Sequence, residues 1–326
     1  MLKKRLALLS MSVVLALGAF AGCGQKSETG TKSGKKTIAL IVKSTDSEYW
    51  LTVKAGAEKA AKEAGVDIIF KGPATEQDIQ GQINIVEDAI NQKVDGIVLA
   101  ASDTKALIQP AEKAIDAKIP LVTVDSGADS SKIASFIATD NEAAAAQGAD
   151  VLAKLIGESG KVGIVNFVPG VSTAVQREKG FRDGMAKHKG IQLLQTQYSQ
   201  SDKAKAMAIT EDILTANPDV KAIFAANNRS ALGVAQALKG KGVAGKVKVV
   251  AFDADPDEIK GLEDGSITAL IVQNPFKMGE EGVKNVLALM EGKTVEKRID
   301  TGVTIVTKEN MNDPEVKKVL YPETNK

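Results

Sequence analysis

Thr37-Ile-Ala-Leu-Ile-Val-Lys-Ser-Thr-Asp-Ser-Glu-Tyr-Trp50 opens the patterned part of the chain. Thr37 to Val42 is a short apolar run with no polar face. Such a run suits a strand covered on both sides, and strands of that kind belong to parallel sheets. Lys43 to Ser47 is polar. Helical spacing then runs from Ser47 to Ala64, and Gly65 stops it. The same strand-then-helix sentence repeats downstream. Strand runs are Val66–Phe70, Gly96–Ala100, Leu121–Val124, Ala134–Ala138, Val162–Phe167, Gln192–Tyr198, Ala222–Ala226, Val247–Phe252 and Ile267–Val272, and helical stretches separate nearly all of them. Regular alternation of this kind predicts an α/β fold with doubly wound parallel sheets. So many strands are too many for one small sheet, and two similar lobes are the simpler solution.

Composition narrows the function. The chain has 326 residues, net charge +1, 4% aromatics, one cysteine and one histidine. The near-neutral balance gives no surplus for a polyphosphate partner, so nucleic acid is not expected. One cysteine excludes a disulfide framework within the chain and a cysteine-built zinc site. One histidine removes most metal, triad and imidazole acid–base chemistry. No cofactor and no metal are expected, and the chain does not read as an enzyme. His188, in a Lys-rich stretch, reads as solvated. Gly240-Lys-Gly-Val-Ala-Gly245 fits the dinucleotide fingerprint only by letters. It follows a helix and precedes a strand, so it reads as a turn.

The first residues read as an export signal. Lys3, Lys4 and Arg5 form a positive stretch, Leu6 to Phe20 is almost continuously apolar, and Ala21-Gly22 leads into the single cysteine, Cys23. This fits a secretory signal over 1–22 and is short for a membrane-spanning helix. Phe20-Ala-Gly-Cys23 resembles a bacterial lipobox, which implies acylation of Cys23 (palmitate among its chains), removal of 1–22 and anchoring at the extracytoplasmic face of the cell membrane. Residues 24–36 hold no apolar side chain and read as a flexible tether.

In parallel sheets, ligands bind beyond the carboxyl ends of the strands. The residues at those ends are consistently polar: Ser47 with the pair Tyr49-Trp50, then Asp125-Ser126, Arg177, Asn227, Asp253 and Gln273. Carboxylates accept from hydroxyls, carboxamides donate and accept, and an aromatic face covers the C–H side of a sugar ring. The set suits a polyhydroxylated ligand. Helix capping is the competing explanation for Asp46, Ser47, Asp103 and Asp202.

From Thr37 to about Asn310 the chain resembles the ribose-binding type of periplasmic sugar-binding protein, the receptors of ABC importers. The resemblance rests on TIALIVKSTDSEYW, VDGIVLAASD (94–103), IPLVTVDS (119–126), ATDN (138–141), REKGF (177–181), NPDVKAIFAANNRSALG (217–233), VVAFD (249–253) and ITALIVQNP (267–275). It implies two lobes joined by a three-crossover hinge, a monomer that closes over a monosaccharide and docks on permease subunits. The crossovers fall near Thr139-Asp140, Gln273 and Gly302, which gives lobes of 37–139 with 274–302 and 140–273 with 303–326. Tyr49 and Trp50 match the aromatics that sandwich the sugar. Ser47, Asp125, Asn227, Asp253 and Gln273 match its hydrogen-bonding partners.

Several positions depart from that pattern. Ser126 and Val175 stand where ribose receptors carry arginines, Lys43 replaces a small hydroxyl residue, and Ser201 falls where an aromatic is expected. Loss of the arginines at 126 and 175 implies a larger site, suited to a hexose, deoxyhexose or polyol. The alternative is another solute in the same fold: a furanosyl signalling molecule such as autoinducer-2, a nucleoside or an acidic sugar.

Overall fold

A computed structural model describes residues 34–322. The export signal, Cys23 and most of the tether lie outside the described residues. The opening sentence of the sequence folds as read. β1 (Thr37–Ile41) is buried along most of its length, and α1 (Glu48–Ala64) ends on Gly65 in the left-handed conformation. Then follow β2 (Asp67–Lys71), α2 (Ile79–Asn91), β3 (Gly96–Leu99), α3 (Ile108–Asp116), β4 (Leu121–Val124) and β5 (Phe136–Ala138). The next stretch carries α4 (Asn141–Leu155), β6 (Ser159–Asn166), α5 (Ser172–Met185), β7 (Gly190–Leu193), β8 (Gln197–Tyr198) and α6 (Lys203–Ala216). It continues through β9 (Val220–Ala225), α7 (Asn228–Gly240), β10 (Lys248–Phe252), α8 (Pro256–Asp264) and β11 (Ala269–Val272). The chain finishes with α9 (Pro275–Met290), β12 (Arg298–Asp300), β13 (Thr304–Thr307) and α10 (Pro314–Leu320).

The strands form two sheets of matching order, β12-β5-β4-β3-β1-β2 and β13-β11-β10-β9-β6-β7, with β8 beside β6. Every pairing is parallel except β11 with β13. The orders superimpose position by position, so β4 in the first sheet is the counterpart of β10 in the second. Each sheet has a core cluster on both faces, as continuous apolar strands require. The chain passes between the sheets after β5, after β11 and after β12. Two of these passages are tied together. Arg298 donates to the Ala138 carbonyl at 2.7 Å and to the Thr139 carbonyl at 2.9 Å, and the Thr139 hydroxyl donates to the Gly302 carbonyl at 3.2 Å.

β12 and β13 were not among the expected strands. β12 has an exposed-intermediate-exposed pattern, and neither strand presents a continuous apolar run. The Gln192–Tyr198 run divides into β7 and β8. Gly240 to Gly245 is the turn between α7 and β10, as read. His188 is not solvated: its side chain is 13% exposed and its Nε2 lies 3.1 Å from Asp150 Oδ1, because α4 runs alongside the end of α5.

Helices α1 and α9 cross at van der Waals limit through two glycines. A Cβ on Gly279 would stand 1.9 Å from the Val53 carbonyl oxygen, and one on Gly56 would stand 1.9 Å from that of Phe276. Backbone cannot yield as a flexible side chain can. Gly279→Ala is therefore expected to destabilise the fold by about 1–3 kcal/mol, the usual range for overpacking. Urea denaturation checks this, and an unchanged midpoint contradicts the close-packed crossing.

Candidate ligand-binding site between the lobes

The carboxyl ends of the two sheets face one another, and the residues there line a small cavity. From the first sheet's side come Lys43, Ser47, Tyr49, Trp50, Glu76 and Asp125. From the second come Phe167, Thr173, Arg177, Asn227, Asn228 and Asp253, with Gln273 at a passage between the sheets.

Two carboxylates anchor the arrangement. Asp125 follows β4 and Asp253 follows β10, at equivalent places in the two sheets. Both adopt left-handed backbone, with φ of 57° and 83°. Such conformations are costly for residues other than glycine and mark positions held for function. Both side chains are buried. Lys43, also buried, places Nζ 3.0 Å from Asp125 Oδ1, and the Tyr49 hydroxyl donates to Asp125 Oδ2 at 2.8 Å. Burial alone would lift the Asp125 carboxyl. The charges of Lys43 and Arg177, with the Lys43 and Tyr49 hydrogen bonds, outweigh it and hold the group below the ordinary carboxylate range. Asp253 goes the other way. Burial pushes it up, and Arg177, the Gln273 amide (2.7 Å) and the Asn228 backbone N–H (3.0 Å) offset this only in part. Burial and the two carboxylates push the Tyr49 phenol well above its usual value, so it stays a donor.

Arg177 is 2% exposed and held by the protein on two nitrogens. Nε donates to Asn141 Oδ1 at 2.8 Å and Nη1 to the Ala226 carbonyl at 2.7 Å. Its guanidinium lies 4.0 Å from the centre of the Phe252 ring. Phe252 sits edge-on to Phe224, and Phe224 stacks on Phe181, so the arginine rests on a rigid aromatic floor. Gln273 Oε1 and the Thr173 hydroxyl are buried at the cavity with no hydrogen-bond partner among the described residues. Buried polar atoms ordinarily find partners, so these two are ready to meet a polar guest.

Eight of the nine binding residues read from the sequence line this cavity: Ser47, Tyr49, Trp50, Asp125, Arg177, Asn227, Asp253 and Gln273. Ser126 does not. The left-handed turn at Asp125 sends the next side chain inward, and its hydroxyl donates to the Ala101 carbonyl at 2.9 Å. Val175 is 56% exposed and lines nothing here, so neither residue enlarges the site. Tyr49 and Trp50 do not hold a ring between them either. Their planes meet at 87° with centroids 5.0 Å apart, and the aromatic on the opposite side is Phe167. Lys43 Nζ lies 5.3 Å from the Trp50 ring centre and 5.6 Å from that of Phe167.

Capping accounts for some polar strand ends. Asp202 caps α6 through the Lys205 N–H, and Asp103 accepts from the N–H groups of Lys105 and Ala106. Ser47 makes no capping bond; its hydroxyl accepts from the Asn228 amide at 3.3 Å across the gap. Asp46 also reaches across, pairing with Arg229 at 2.5 Å. Phe167 and Asn228 stand at strand ends and the strand-end rule covers them. Glu76 and Thr173 carry no such signal.

Among the described residues no group of three or more His, Cys, Asp and Glu could hold a metal ion, and no helix is long and apolar enough to cross a membrane. Two parallel-sheet lobes, joined by three crossovers and meeting over a polar, aromatic-walled cavity, define a hinged solute receptor of the periplasmic binding protein type 1 fold. The model of the periplasmic binding protein domain matches residues 38–294, and the chain belongs to that family. It is 34% identical over 255 residues to the D-allose-binding periplasmic protein of Escherichia coli K12, covering 76% of this chain and 82% of the relative. It is 32% identical over 279 residues to the ribose import binding protein of the same organism, covering 84% and 92%. A solved ABC transporter solute-binding protein from Agrobacterium vitis, with bound D-fucose, is 41% identical with a TM-score of 0.85, covering 87% of this chain and all of that one.

Asp255 supplies a pH test of the same wall. It accepts from the Asn228 amide at 2.6 Å, and burial, reinforced by Asp253 and Glu48, raises its carboxyl to about 6. A carboxyl raised on folding stabilises the fold at low pH, and that stability is lost as pH rises from the unfolded value, near 4, through 6. Asp255→Asn is therefore expected to match the wild type near pH 4 and to exceed it above pH 6.5, by at most about 3 kcal/mol. Denaturation midpoints at the two pH values check this, and a variant that is weaker at both contradicts it.

Proposed function

We propose that the chain is the extracytoplasmic receptor of an ABC importer, that it closes its two lobes over one neutral monosaccharide, and that acylated Cys23 holds it on the membrane. The observation that carries this reading is the pair of buried carboxylates on equivalent strand ends, one from each lobe, in a cavity with Trp50 and Phe167 as its aromatic walls. Carboxylates in such a place accept from vicinal hydroxyls, and apolar ring faces cover the C–H surfaces of a pyranose. The relatives are named for D-allose and ribose, the solved neighbour holds D-fucose, and none of them is named as an enzyme. We place the lobe limits at 37–139 with 274–302 and 140–273 with 303–326, and take the receptor as a monomer when free of its permease.

Charge narrows the guest. Two cations, Lys43 and Arg177, face three carboxylates, Asp125, Asp253 and Glu76, and each cation already serves the protein. This lining does not favour an acidic sugar. Hexoses and deoxyhexoses fit the reading through Lys43 and Arg177, not through space left at Ser126 or Val175. Contacts from both lobes favour the closed state, and closure in turn presents a joint surface to the permease.

Titration of Trp50 fluorescence with D-allose, D-fucose, D-ribose, D-arabinose and sorbitol tests this. Saturable binding of at least one sugar is expected, and Asp125→Asn is expected to weaken it about 10- to 100-fold, the scale of a hydrogen bond to a charged group. A flat response to every compound from folded protein contradicts the reading. Cys23→Ser is expected to release the protein from the membrane fraction of expressing cells and to abolish labelling by a fatty-acid probe; unchanged labelling contradicts the anchor.

A further inference from the structure

Glu76 lies in the segment between β2 and α2, at the cavity, and its carboxylate works in two directions. One oxygen accepts the Trp50 indole N–H at 3.1 Å, within the first lobe. The other accepts the Ser201 hydroxyl at 2.7 Å, from the second lobe. Ser201 in turn accepts from the Asn227 amide at 2.7 Å, and Asn227 Oδ1 caps α7 through the Ser230 N–H. An unbroken polar chain thus runs from the aromatic wall through one carboxylate, across the gap, to the first turn of α7.

Ser201 is held in place at a cost. Gln200 and Ser201 are consecutive non-glycine residues in left-handed backbone, with φ of 60° and 56°. Each such residue costs about 1–3 kcal/mol and persists only where its surroundings fix it. Here the Gln200 N–H donates to the Phe167 carbonyl at 3.1 Å, and Asp202 begins α6. The result is a 6%-exposed hydroxyl aimed at Glu76. Arg229, paired with Asp46 across the same gap, lies within the field of Glu76 as well.

We propose that Glu76 is a positioning residue that clasps the closed lobes, tying the placement of Trp50 to closure and setting the lifetime of the closed form. The proposal rests on the sugar-receptor reading above. The Glu76–Ser201 bond joins residues carried by different sheets, so it forms only when the lobes meet. A charge-assisted bond of this kind slows opening and leaves encounter unchanged. Ser201 stands at the position where the ribose-type pattern expects an aromatic. The bond joins the two lobes, and the stabilisation it gives does not depend on which sugar is inside. Glu76 therefore raises affinity for different sugars by one common factor, whereas Asp125 and Asp253 discriminate among them.

Stopped-flow binding of D-allose and D-fucose tests this in the full chain with Glu76→Ala, Ser201→Ala, the double variant and Glu76→Gln. Glu76→Ala is expected to speed dissociation of both sugars about tenfold or more, with association within about twofold, as for loss of a charge-assisted hydrogen bond. The double variant is expected to dissociate no faster than Glu76→Ala, and Glu76→Gln to fall between it and the wild type. Additive effects in the double variant, a change confined to association, or factors that differ widely between the two sugars would overturn the proposal. If the wild type binds neither sugar, the receptor reading has failed separately. The clasp is then read from spin-label distances between Lys62→Cys and Lys187→Cys in a Cys23→Ser background. A smaller closed fraction in Glu76→Ala than in its parent supports the clasp, and an equal one overturns it.

Discussion

Two negative charges are buried where two lobes meet, and that constraint organises the rest of the molecule. An isolated carboxylate loses several kcal/mol of hydration on burial, so it must find partners or neutralise. Asp125 finds Lys43 and Tyr49 in its own lobe and feels Arg177 from the other. Asp253 takes the Gln273 amide and a backbone N–H, and its carboxyl is raised. Equivalent positions in matching sheets thus hold one carboxyl that is lowered by its cationic neighbours and one that is raised by burial. Together they offer a hydroxylated guest acceptors from opposite sides.

The scaffold exists to hold those two groups in register. Parallel sheets put all their strand ends on one edge, and the edges of the two lobes face each other. Left-handed backbone after β4 and β10 turns both carboxylates into the gap. The tight α1–α9 crossing fixes the helix that carries Tyr49 and Trp50, and the Phe181–Phe224–Phe252 stack fixes the arginine opposite. Arg298 and Thr139 tie two of the three passages between the lobes. A hinge of this kind allows the lobes to part while each sheet stays rigid.

Much of this was legible because both periodicity and strand-end position are local properties of the chain. The apolar runs gave the strands, and the polar residues after them gave most of the cavity lining. β12 and β13 escaped because their burial comes from neighbouring strands and leaves no apolar run in the sequence. Ser126 was misplaced because adjacency to Asp125 says nothing about the backbone turn between them, and that turn sends the two side chains in opposite directions. Tyr49 and Trp50 were read as two faces of one clamp; consecutive residues on a helix point about 100° apart, and the second face comes from Phe167 in the other lobe. Glu76 left no signal because its role depends on a residue 125 positions away that only closure brings near.

The central claim is that both lobes grip one sugar in the space between Trp50 and Phe167. A crystal structure of the protein grown with its tightest-binding monosaccharide tests that claim most directly. The account predicts a ring in this cavity with hydroxyls on both Asp125 and Asp253. A sugar held by one lobe alone, or on an outer face, would contradict it.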